Sequence, residues 1–115
     1  AKNGLTTLMK LLKCSRKPAK HSLLLRRVVG TSMSPTFRQG EIVVGSTNVA
    51  NVVVGDVVVV EHDGLEKIKR VADKRPGEIY ILGDNPGASS DSRNFGWLSE
   101  KSVKAKVIWS RFFHR

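Results

Sequence analysis

Four consecutive valines, Val57 to Val60, bracketed by Asp56 and Glu61, constrain this chain more than any other stretch. A β-branched side chain loses rotamer freedom against a helical turn and packs well on extended backbone. An unbroken apolar run, in place of alternation, fits a strand covered on both faces. His62-Asp63-Gly64 follows as a turn signal, so residues 65–72 are expected to return beside the valines as a hairpin partner. Further strands are read at residues 23–29, 41–45 and 78–82. Residues 103–109 alternate apolar and basic side chains like a half-exposed strand. Six or seven strands and one short helix predict a mainly β fold built on a bent or barrel-like antiparallel sheet. Residues 73–77 read as a charged loop, leaving little chain between the strand at 78 and the turn at Gly83.

Length and charge divide the chain in two. With 115 residues there is room for one modest core. Residues 1–28 carry eight Lys and Arg and no acid, whereas residues 29–115 carry twelve basic and ten acidic side chains, so the basic excess belongs to the N-terminal arm. Residues 1–22 are read as that arm, with a linker from Cys14 to Ser22, and residues 23–115 as the folded domain. Leu5, Leu8, Met9 and Leu12 recur at helical spacing, predicting a short amphipathic helix over residues 4–13. Such an arm suits a solvated or partner-docking role first, peripheral contact of residues 1–20 with an anionic membrane second, and nucleic acid least. No stretch reaches the ~20 apolar residues of a membrane span. The single cysteine, Cys14, forms no intrachain disulfide, and nothing argues for an oxidising compartment. His21, His62 and His114 lack metal-ligand spacing, so neither metal nor cofactor is expected.

Candidate chemistry comes from three separated segments. Thr31-Ser32-Met33-Ser34-Pro35-Thr36 is a small polar turn in which Pro35 forbids a regular strand, leaving Ser32 presented from irregular structure. A serine hydroxyl needs a base to take its proton. Lysine serves once burial in apolar surroundings lowers its pKa. Lys67 and Lys69 fall on the same side of their strand, so alternation alone does not choose between them. The third segment runs from Gly83 to Arg93 and gathers turn formers, hydroxyls, carboxylates and an arginine.

In their order and spacing, Gly30-x-Ser32-Met33-x-Pro35-Thr36, Lys69-Arg70, Gly83-Asp84-Asn85 and Ser89-x-Asp91-Ser92-Arg93-x-x-Gly96 resemble the type I signal peptidase family of Ser/Lys proteases, over roughly residues 26–110. The resemblance implies Ser32 as nucleophile and Lys69, directly before an arginine, as its base. It further implies that Ser89 orients Lys69 and that Asp91 and Arg93 form an ion pair holding the loop, with Asp84 and Asn85 shaping its turn. The Ser32 backbone N–H is the expected oxyanion donor. Gly30 stands where some members carry a hydroxyl that serves as a second donor. Gly30, Met33 and Pro35 are expected beside a shallow cleft that takes small residues around the scissile bond, with the valine strand as its other wall. The expected fold is the family's catalytic core, pared to a minimum because the second β domain of larger members is missing.

Within the family, this chain most resembles the small soluble peptidases that mature nickel-type superoxide dismutase. The implied partner is therefore a precursor with an N-terminal leader, met in the cytoplasm. Alternatives are a signal peptidase or organellar inner-membrane peptidase acting at a membrane, and a basic nucleic-acid or partner-binding module. A self-cleaving repressor domain shares the Ser and Lys chemistry, but the chain contains no Ala-Gly pair of the kind such domains cut.

Overall fold

A computed structural model describes residues 21–88 and 90–111. The amphipathic segment 4–13, most of the basic arm, and Ser89 lie outside the described residues. Seven strands form one sheet: β1 (Leu23–Arg27), β2 (Ile42–Ser46), β3 (Val57–His62), β4 (Leu65–Arg75), β5 (Glu78–Leu82), β6 (Leu98–Ser99) and β7 (Val103–Arg111). Their spatial order is β1-β2-β7-β3-β4-β5-β6, and every pairing is antiparallel. Register shifts within the β2/β7, β3/β7 and β4/β5 ladders bend the sheet. The mainly β architecture with a bent antiparallel sheet matches the sequence reading.

The valine strand behaves as its composition demands. Val57 to Val60 are all buried, at most 8 % exposed. Val58 and Val60 join one apolar cluster with Val52, Val71, Ile79, Ile81, Leu98 and Val103. Val57 joins a second with Val28, Met33, Phe37 and Val43, onto which Ile68 and Val107 pack. One strand therefore separates two cores. Burial of a side chain of this size contributes about 1.5–3 kcal/mol relative to exposure.

Asp63 and Gly64 make the predicted hairpin turn between β3 and β4, with φ of 53° and 78° and His62 paired to Leu65. Two successive left-handed residues give the turn a twist that matches the strands it joins. β4 runs on to Arg75, correcting the expected loop at 73–77. A register shift between Val71 and Asp73 absorbs a residue and lets the ladder continue, so only Pro76-Gly77 remain as the turn before Glu78. The loop after β5 also holds unforeseen order, a four-residue helix α1 (Ser92–Phe95).

Candidate active site

The turn that presents Ser32 is built on two anchors. Met33 and Phe37, 1 % and 8 % exposed, sink into the second core. Between them the backbone closes tight turns, Ser34 N–H donating to the Thr31 carbonyl and Phe37 N–H to that of Met33. The neck of the loop is tied where Val28 N–H donates to Glu41 O and Gly40 N–H to Val28 O, both at 2.8 Å. Ser32 is thus held by the residue next to it, which cannot leave the core without losing its burial. The Ser34–Pro35 peptide is cis.

β4 brings Lys69 to this turn. Its side chain is buried, with the residue only 4 % exposed, and Nζ donates to Ser32 Oγ at 2.9 Å. Burial pushes the Lys69 pKa down, Asp91 opposes that shift, and the positive charges of Lys67 and Arg93 add to it. The ambiguity left by alternation is thereby resolved in geometry: the hydroxyl meets Lys69, while Lys67 lies at the side of the cleft.

The loop after β5 supports both partners. Asn85 N–H donates to Ser32 O at 2.8 Å and its Nδ2 to Thr31 O at 3.0 Å. Asp84 N–H donates to Met33 Sδ. Asp91 is fully buried and caps α1, accepting from Gly83 N–H at 2.8 Å and from Arg93 N–H at 3.1 Å. The Asn94 side chain returns the contact by accepting from Asp91 N–H, completing a capping box. Arg93 grips the Asp91 carboxylate with two side-chain nitrogens, at 3.0 and 2.6 Å, which raises the Arg93 pKa. Asp91 and Arg93 thus form the ion pair read from the sequence.

A second network was visible in the sequence only in fragments. Arg70 Nε and Nη2 donate to the two Asp84 oxygens at 3.0 and 2.8 Å, and Thr36 Oγ1 donates to Asp84 at 2.6 Å. The arginine's hydrogen bonds hold the Asp84 carboxyl below the usual aspartate range. Adjacent β4 residues therefore differ in what governs them, Lys69 in burial that outweighs the nearby Asp91 charge and Arg70 in a direct clamp on an acid. The signal was the pairing of Thr36, Arg70 and Asp84 across the three motif segments, none of which names a contact by itself.

A cavity of about 300 Å³ opens beside Ser32 and Lys69. Val28, Val29 and Met33 wall one side and Ile68 the other, with Arg26, Arg27, Glu66 and Lys67 also lining it. Its second wall is β4 and not the valine strand, because β3 is covered by core on both faces. Of the three residues expected to flank the cleft, Met33 lines this cavity and Gly30 and Pro35 do not. Gly30 has φ +84°, with open space around the position of an added Cβ. A hydroxyl-bearing residue there meets a conformational penalty, not a steric one.

Among the described residues no His, Cys, Asp and Glu side chains gather as a metal site, and no helix is long and apolar enough to cross a membrane. What the geometry does offer is a hydroxyl hydrogen-bonded to a buried amine at the side of an open cleft, the requirement for activating an oxygen nucleophile. No curated protein matches the chain. The sequence profile of the family described as peptidase S24-like, however, matches residues 5–107, a span that contains the Ser32 turn, Lys69 and the loop from Gly83 to Arg93. The chain belongs to the peptidase S24-like family.

Proposed function

We propose that this protein is a serine endopeptidase in which Lys69 activates Ser32, and that it removes an N-terminal leader from a precursor protein, nickel-type superoxide dismutase being the preferred substrate. The observation that carries the reading is the 2.9 Å hydrogen bond from buried Lys69 to Ser32. Neutral Lys69 takes the hydroxyl proton as Oγ attacks the scissile carbonyl. The Ser32 backbone N–H receives the developing oxyanion. Protonated Lys69 then delivers its proton to the leaving amine, and water releases the acyl group by the same steps in reverse. Ser89 is read as orienting Lys69, and Asp91 and Arg93 as holding the loop that supports it. The basic arm, residues 1–20, is read as a docking element for the precursor or for a membrane surface near it, and the cytoplasm as the place of action.

The test is incubation of the full chain with a leader-bearing nickel dismutase precursor, beside Ser32→Ala and Lys69→Ala, read by the mass of the new N-terminus. Cleavage is expected to fall at least about 10³-fold in each variant. Undiminished cleavage in either variant removes that residue from the mechanism. A new N-terminus arising in the peptidase instead of the precursor identifies self-processing, the chemistry of cleavable repressors.

A further inference from the structure

The cleft carries more positive charge than its own acids balance. Glu66, the acid lining the cavity, is engaged: Arg26 Nε and Nη2 donate to its oxygens at 2.6 and 3.0 Å, and Lys104 Nζ approaches at 3.6 Å. Arg27 turns one nitrogen to the Gly40 carbonyl and has no ion pair among the described residues. Lys67 lines the cavity half-buried, and among the described residues its ammonium has no hydrogen bond or ion pair. It is also close enough to Lys69 for the two charges to repel. A partly exposed cation at the cleft whose neighbouring acid is already taken is available to an anion brought by a substrate.

Strand geometry says where that anion lies. Lys67 and Lys69 project from the same side of β4, about 6.6–6.8 Å apart along the strand at ~3.3–3.4 Å per residue. An extended peptide has the same repeat. For a peptide lying extended along β4 with its scissile carbonyl at Ser32, a residue two positions away comes opposite Lys67.

Building on the peptidase reading above, we propose that Lys67 is a specificity residue that selects substrates bearing an Asp or Glu about two residues from the scissile bond, with Arg27 adding to the same field. The reaction chemistry makes no use of this contact. Lys67 touches only a flanking side chain, and the preference is one of charge, distinct from the small residues expected at the bond itself. A partly screened pair of this kind is worth about a three- to tenfold preference and weakens with added salt.

The experiment uses the full chain and synthetic peptides with alanines at the bond and either Asp or Asn at each flanking position in turn. Cleavage is measured with the active protein, and peptide affinity with the Ser32→Ala chain. The expected result is one position at which Asp exceeds Asn by about three- to tenfold in kcat/KM and in affinity. That ratio falls to about 1 in Lys67→Gln and inverts in Lys67→Glu. Because each ratio compares two peptides on one variant, any effect of Lys67 on the Lys69 pKa cancels. No Asp preference at any position, in cleavage or in binding, overturns the proposal. So does a preference that survives Lys67→Glu. Cleavage that persists in Ser32→Ala overturns the peptidase mechanism instead and leaves the binding ratios to judge Lys67 separately.

Discussion

The two cores on either face of β3 are made differently. The first draws its buried side chains from strands β3, β4, β5, β6 and β7 together with Val52. In the second, Val28, Met33 and Phe37 come from the loop that carries Ser32, and only Val43 and Val57 from strands. Every buried residue of both is at most 9 % exposed, yet only the second contains the residue next to the candidate nucleophile in sequence. Burial in one face of this sheet is structural, and in the other it also sets the position of a hydroxyl.

Truncation on either side breaks that comparison open. Ile81→Ala, in the first core, is expected to cost about 3 kcal/mol, lowering Tm by roughly 12–20 °C, while kcat/KM per folded molecule stays within about twofold. Met33→Ala, in the second, is expected to cost about 2–3 kcal/mol and also to lower kcat/KM by tenfold or more, since the Ser32 turn loses its anchor. Equal activity losses in the two variants would erase the distinction.

A milder probe is Asp84→Asn, which frees Arg70 and Thr36 and is expected to cost about 1 kcal/mol near neutral pH. The Asp84 carboxyl titrates below its ordinary value. Its stabilisation is therefore complete above the usual aspartate range near 3.9 and is lost as pH falls through the lowered folded value, so denaturation curves of variant and wild type should converge in acid.

The smallest expected effect has the opposite sign. Lys69→Met removes the cost of burying an amine, so it abolishes cleavage and raises Tm by a few degrees. The folded Lys69 pKa lies below that of the unfolded chain, so the unfolded state binds more protons between the two values. Wild-type stability then rises with pH across that window, and the Met variant lacks that rise. Cleavage by the wild type should rise with pH through the same lowered pKa, because only neutral Lys69 accepts the proton.

Much of this arrangement is legible in the residues themselves. The valine run, the Asp63-Gly64 turn and the alternation near residue 103 each follow from backbone preference, which acts locally. Choosing Lys69 over Lys67 is not local. Both sit on the same side of the strand, and what separates them is which one ends beneath the Ser32 turn, a contact across 37 residues. The wall of the cleft was misread for a related reason: an apolar run announces burial but not what covers it. Helix α1 is too short to show a period, and its only trace is Asp91 followed three residues later by Asn94, a capping pair meaningful once the loop's path is known.

The position of β7 between β2 and β3 has a consequence for synthesis. Ser32 travels with the β1–β2 half, and Lys69 with the meander from β3 to β6. Among the described strands the ladder joins these halves through β7 alone, which follows both of them in sequence. While that strand is still being made, the earlier segments have emerged with no sheet to align them, and non-local pairing of this kind is slow. The contact between Ser32 and Lys69 therefore depends on long-range pairing through β7, and not on either half alone.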